Sequence, residues 1–233
     1  MKNMVGVLAF VCVMMTSIVF GEEAPAFQTS PQETITFRIE KMKVKAGEAT
    51  LALYEGEKLD GQDVAVIVFR ADGFNFLDEE TIYANPKTFH PMRIDRNLNI
   101  FGRKEKITEE YLAEGTVKIT KHVGGKTKVE TLKPGGKPDN IYGFLIRYRR
   151  EGAFTIGDTV KLHLPTKDVV IKLENKKPLK IFGKEYEAYY LVSQPGKYKI
   201  WLDNSPEKIP LKISGAIGAA NTTMVMRNYS GKQ

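Results

Sequence analysis

From Thr34 to Glu40 apolar and polar residues alternate strictly, with Ile35, Phe37 and Ile39 set against Thr36, Arg38 and Glu40. That two-residue period is the pattern of a strand buried on one face. Residues 49–54 and 64–69 read as further strands, separated by turn formers between Glu57 and Gly61. The style recurs at Val117 and Ile119, at Val129 and Leu132 after the Gly124-Gly125 turn, at Val160, Leu162 and Leu164, and over 169–173. It closes with Tyr189 and Leu191, with Tyr198, Ile200 and Leu202, and with Ile209, Leu211 and Ile213. Short strands punctuated by Gly, Pro and Asn every 8 to 12 residues or roughly so indicate an antiparallel all-β domain. The helical stretches that βαβ units need between strands are missing.

One segment departs from this period. Asp139-Asn140 is placed to cap a helix over 141–150, in which Ile141, Phe144, Leu145 and Tyr148 recur at helical spacing. Arg147, Arg149 and Arg150 sit toward its carboxyl end, where the helix dipole favours positive charge. So short a helix must pack its apolar stripe on the sheet to be stable. The expected architecture is all-β and mainly antiparallel: a curved sheet or open β-barrel with one short bracing helix near residues 139–150.

The amino end follows a different logic. Lys2 precedes an almost uncharged run over 4–20 and then Gly21-Glu22-Glu23, the layout of a secretory signal peptide over residues 1–21. Cleavage after Gly21 is the leading choice, with Ala24 and Ala26 as alternatives; the competing reading is an inner-membrane anchor formed by residues 4–20. Residues 22–33 read as a flexible tether and residues 34–230 as a single β-rich domain. Removing 21 of the 233 residues leaves 212 and, with Lys2 gone, lowers the net charge from +7 to +6.

Composition sharpens this picture. The hydrophobic fraction of 42% and charged fraction of 27% suit a globular chain able to bury a core. The one cysteine, Cys12, falls in the leader, so the mature chain has no thiol nucleophile, thiolate metal site or redox pair. The sequence pI near 9.2 favours acidic partners, but a periplasmic location makes nucleic acid a poor one.

Tests of individual motifs are mostly negative. Gly124-Gly125-Lys126-Thr127 ends like a phosphate-binding loop, yet Thr120 stands where its first Gly belongs. Pro138 excludes a helix after Gly135-Gly136-Lys137. His90, His122 and His163 lack metal-ligand spacing, and no Ser lies in a Gly-x-Ser-x-Gly elbow. Glu79-Glu80 and Glu109-Glu110 are adjacent pairs whose members point to opposite faces of a strand, so neither pair alone flanks one bond. Carboxylates distant in sequence remain the one route to an unrecognised hydrolase; the expectation is otherwise no enzyme, no metal and no cofactor.

The quoted features in order, Val44-Lys45-Ala46-Gly47-Glu48-Ala49, the Arg-bearing helix, Trp201-Leu202-Asp203 and Lys208-Ile209-Pro210-Leu211-Lys212, resemble the bacterial family of exported proteins called domain of unknown function 3108. The likeness runs from about Phe37 to Met226. It implies a barrel-like envelope protein with no established reaction. The chain departs from the family's Pro-Leu-Ser type of helix entry, having Asp139-Asn140-Ile141-Tyr142-Gly143 there.

The candidate ligand-binding residues are Trp201, Tyr148, Arg147, Phe101 and Arg103. Trp201 reads either as the core anchor of the last hairpin or as a cavity-lining aromatic. Arg93, Arg96, Arg103, Lys104 and Lys106 cluster in sequence around Phe101, and Lys172, Lys176, Lys177, Lys180 and Lys184 form a second basic group. On one face such groups bind anionic headgroups or glycans; alternating Lys also keeps sheet edges from pairing with other chains. The leading functional expectation is a non-enzymatic module whose concave side takes a lipid or other apolar ligand. The alternative is an envelope interaction or scaffold protein using its basic surface to bind an anionic polymer or a partner protein.

Overall fold

The computed structural model describes residues 27–217 and 222–231; the leader, Cys12 and most of the small-residue stretch after Gly215 lie outside the described residues. In chain order the elements are β1 (Glu33–Lys41), β2 (Val44–Leu59), β3 (Gln62–Gly73), β4 (Phe76–Ala84), β5 (Pro91–Ile100), β6 (Arg103–Tyr111), β7 (Val117–Val123), β8 (Lys126–Leu132), α1 (Ile141–Glu151), β9 (Thr159–Leu164), β10 (Lys167–Ile181), β11 (Lys184–Gln194), β12 (Lys199–Asp203), β13 (Pro210–Ser214) and β14 (Thr222–Gly231). All strands join one 14-stranded sheet in the order β8-β7-β6-β5-β4-β3-β2-β1-β14-β13-β12-β11-β10-β9. Every pairing is antiparallel, and β8 and β9 are edges, so the sheet is not closed. The expected open, curved β architecture with one bracing helix is the one observed.

Register explains where the core sits. Ile35 pairs with Leu51, which pairs with Phe69, so these three side chains share one face. Phe37, Ala49 and Ala71 form the next row of that face, and Leu191, Ile200, Ile213 and Met224 continue it through β11 to β14. All are buried. Helix α1 lies on this concave face, its Tyr142 ring stacked on Phe69 with centroids 4.5 Å apart. Each such fully buried large side chain contributes about 1.5–3 kcal/mol, offset by the cost of ordering the chain.

Both ends of α1 are fastened. Asn140 Oδ1 accepts the Tyr142 and Gly143 amides at 2.7 and 3.4 Å, relieving the unpaired first-turn donors of the helix. At the other end Arg149, although 91% buried, donates to both Glu33 oxygens at 2.6 and 2.7 Å and to the Lys208 carbonyl at 2.9 Å. Gly143 is required by closeness alone: a Cβ there would sit 2.5 Å from the Phe89 carbonyl oxygen.

Three features differ from the sequence expectation. First, β4, β5 and β6 show no alternating run in the sequence beyond a strand entry at His90-Pro91 and the carboxylate pairs Glu79-Glu80 and Glu109-Glu110, because their concave-face positions include Asp78, Glu80, Arg96 and Glu109 instead of apolar residues. Second, the β2–β3 turn is confined to Asp60-Gly61, and strand pairing extends to Leu59↔Gln62. Third, the described part of the segment read as a tether is held in place. Phe27 packs on Tyr54 at 4.3 Å, and the Gln28 and Thr29 amides donate to Glu57 at 3.0 and 2.7 Å.

Two substitutions test this architecture. Gly143→Ala gains helix propensity but must push a backbone carbonyl away, so chemical denaturation should show a net loss of about 1–2 kcal/mol. Phe101 is 78% exposed and holds φ +50°, a conformation that Asn adopts more easily. Phe101→Asn should therefore raise stability by about 1 kcal/mol.

Candidate functional site

The sequence-derived candidates fall in three separate places. Arg147 and Tyr148 are neighbours on α1: Arg147 donates to Asp139 at 2.5 Å and to the Thr88 carbonyl at 3.2 Å. Tyr148 is packed between Phe144 and Phe154, with centroids 5.4 and 5.0 Å away. The two help line an open groove of about 550 Å³ beside Gly157 and Val160. Trp201 is buried, 4.7 Å from Tyr190 and with the Lys212 ammonium 4.9 Å from its ring. Its register partners Tyr190 and Lys212 place it on the convex face, opposite to Ile200. Phe101 and Arg103 belong to the β5–β6 turn, where Arg103 pairs with Glu105 at 3.0 Å.

The basic group around Phe101 does not assemble on one face. Arg93 pairs with Asp95 at 3.0 Å, whereas Arg96 points into the concavity and Arg103 stands at the turn. Within the Lys group, Lys176 pairs with Glu187 at 2.9 Å and Lys177 lies 3.7 Å over Tyr190.

A constellation that motif reading missed lies inside the sheet. Register sets Glu80 opposite Arg96 and Ile94 opposite Glu109, so residues from three strands share the concave face. Arg96 makes a two-pronged contact with Asp78 at 2.7 and 2.6 Å and approaches Glu80 to 3.9 Å. Asn140, the helix cap, donates to Glu80 at 2.9 Å. Tyr111 donates to Glu109 at 2.6 Å, and the buried Tyr142 hydroxyl has no hydrogen-bond partner among the described residues. The adjacent carboxylates part as expected, Glu79 pairing with Arg70 and Glu110 with Lys118 on the other face. The signal available in the sequence was the hairpin register, which brings Glu80 and Glu109 from different pairs to one side.

Burial dominates the electrostatics here. It raises the Glu80 carboxyl to about 7, with the Asp78 and Glu109 charges adding to it and Arg96 and Asn140 opposing it. Glu109 is raised by the same desolvation, and Tyr142 is held well above its ordinary value by burial and then by Glu80 and Asp78. For Arg96, burial works against the charge, but the Asp78 hydrogen bond and the Glu80 and Asp78 charges prevail and raise it. A carboxyl near neutrality has the acidity a general acid needs. However, Glu80 is 92% buried and its recorded contacts are to Asn140 and Arg96, so its visible role is to join the helix cap to the sheet.

The histidines have separate partners: His90 faces Asp139 at 3.8 Å, His122 meets Thr127 at 2.8 Å and His163 meets Asp168 at 2.9 Å. Among the described residues no group of three or more metal-ligating side chains converges, and no helix is long and apolar enough to cross a membrane.

With the geometry established, comparison places the chain. Residues 34–226 match the family described as "Protein of unknown function (DUF3108)". The chain belongs to the DUF3108 family. The match spans both the sheet that supplies the polar interior and the helix that caps it, so the family unit includes this site. A crystal structure of a β-barrel-like protein of domain of unknown function DUF1849 from Brucella abortus has the same fold, with a TM-score of 0.53 and 8% identity over 89% of this chain and 100% of that one. Comparison with curated proteins finds no match.

The raised Glu80 carboxyl has a definite pH signature. A folded-state value near 7 against an ordinary 4.5 means its contribution to stability is full below the ordinary value and is lost as pH rises through about 7. Glu109 acts in the same direction. Thermal unfolding at pH 5.5 and 8.5 should therefore show wild type losing stability toward alkaline pH by about 2 kcal/mol, with Glu80→Gln losing clearly less. Equal losses would refute the assignment.

Proposed function

We propose that this DUF3108 protein is exported to the bacterial cell envelope and works there as a non-enzymatic interaction module, engaging an anionic envelope component through its exterior. Export is supported by the basic start, apolar run and small residues of the first 21 positions. The observation that carries the interaction reading is the occupancy of the concave face. Phe37, Phe69 and Phe144 are fully buried there, as is Phe89 of the β4–β5 loop, and Asp78, Glu80 and Arg96 fill the adjoining part with paired charge.

A lipid tail bound inside, the leading expectation from the sequence, would have to displace α1 and lie beside buried carboxylates, which is costly on both counts. The exterior is a better surface for recognition. It carries the positive excess of the chain, +7 in the full sequence and +6 without the leader, which raises encounter rates with anionic partners.

Expression of the full sequence in a Gram-negative host, fractionation, native mass spectrometry and solvent extraction test this directly. The expected result is a periplasmic chain lacking its leader and carrying no stoichiometric lipid. A co-purifying lipid at one per chain overturns the reading in favour of a carrier.

A further inference from the structure

Resting on the reading of an exterior interaction module, we infer that the module engages the surface of an anionic lipid bilayer through one rim of the sheet, the end bearing the turns β1–β2, β3–β4 and β5–β6. Consecutive antiparallel pairing from β1 to β6 puts these three turns at the same end. They touch as well: the Phe101 amide donates to the Asn75 carbonyl at 2.8 Å, and Gly47, just past the first turn, pairs with Gly73 of the second. Of the nine large hydrophobic side chains exposed among the described residues, the three most exposed at this end are on the turns, Phe74 at 87%, Met42 at 85% and Phe101 at 78%, and two more, Val44 and Ile100, are the strand residues beside them.

These residues are not there for the fold. Two-residue hairpin turns with left-handed backbone favour Asn, Asp and Gly, yet Met42 and Lys43 hold φ +51° and +66° and Phe101 holds φ +50°. Bulky side chains in that region are strained, and such strain concentrates at functional positions. Phe182, the corresponding residue of the β10–β11 turn, has its ring covered by Arg38 and Arg227 at 5.9 and 5.4 Å. Phe74 and Phe101 have neither a ring nor a cation against them among the described residues.

Charge identifies the occupant. Lys41 and Lys43 flank Met42, and Arg103 and Lys104 follow Phe101; all four are exposed. Of these only Arg103 has a salt bridge among the described residues, to Glu105. Separate apolar tips on short turns, ringed by flexible cations, suit insertion below a negatively charged headgroup layer: each tip buries its own apolar surface while lysines stay at headgroup level. A protein partner would be met better by one continuous apolar patch with a polar rim. The first strand residue, Glu33, and its partner Gly231 lie at the opposite end of the sheet, so the described chain ends lie away from this rim.

The test is co-sedimentation of the purified protein with phosphatidylcholine vesicles, with and without phosphatidylglycerol, at low and high salt. Binding to the phosphatidylglycerol vesicles is expected, weakening as salt rises. Phe74→Ser with Phe101→Asn should reduce partitioning at least about tenfold, and Lys43→Glu with Lys104→Glu should abolish the preference for anionic vesicles. Unfolding midpoints of the variants, close to or above wild type, separate lost docking from lost folding. Absence of vesicle binding by the folded wild type, binding untouched by the rim variants, or binding only to an anionic cell-wall polymer each overturns the inference. The interaction reading itself stands or falls separately, on whether a lipid is extracted from the interior.

Discussion

The structure depends on covering one apolar face with one short helix. A sheet that does not close leaves its concave side to be filled, and α1 is the only helix among the described residues available to do so. An isolated helix of eleven residues is marginal in water, so sheet and helix each supply what the other lacks. The fastenings at its two ends differ in chemistry. Asn140 caps the helix while its amide donates to the sheet carboxyl of Glu80, and Arg149 clamps the last turn to the first strand residue, Glu33. Removing one partner of the Arg149–Glu33 pair would leave a buried charge without compensation, a far larger loss than deleting an exposed pair.

The same geometry divides the concave face in two. From β1 to β3, and again from β11 to β14, inward positions are mostly apolar, with Glu33 the charged exception that holds Arg149 of the helix. From β4 to β6 they bear Asp78, Glu80, Arg96 and Glu109, which hydrogen bonding and pairing make tolerable at the cost of a raised carboxyl. Such a network narrows which register and helix position satisfy every group. In the proposed reading the interior holds the fold and partners are met by the turns and strand edges.

Much of this was legible in the sequence. Ile35, Phe37 and Ile39 announced β1 by alternation, and the spacing of Phe144, Leu145 and Tyr148 after Asn140 announced α1 and its cap. The DUF3108 features at Val44–Ala49 and Trp201–Asp203 identified the family. What remained hidden shares one cause: strands and sites defined by pairing have no local signature. Asp78 and Arg96 break the apolar alternation that marks a half-buried strand, so β4 and β5 carry no alternating run, only a strand entry at His90-Pro91. Glu80 and Glu109 become neighbours only through hairpin registers. Phe101 and Arg103 stand out in the sequence as part of a basic aromatic cluster, but their company at the rim, Phe74 and Met42, follows only from the order of the strands. Trp201 illustrates the limit of period-two reading, since alternation determines that it faces away from Ile200 without saying which face is concave.

The central claim is that α1 is a fixed part of the core and does not move aside to open a ligand chamber. Native-state hydrogen exchange tests it most directly. The account predicts that the α1 amides from Phe144 to Tyr148 exchange with the same free energy as those of Ile35, Leu51 and Phe69, rising and falling together with denaturant as one unit. Exchange of the helix at distinctly lower free energy than these strands, through an opening insensitive to denaturant, would contradict it and return the concave face to consideration as a binding chamber.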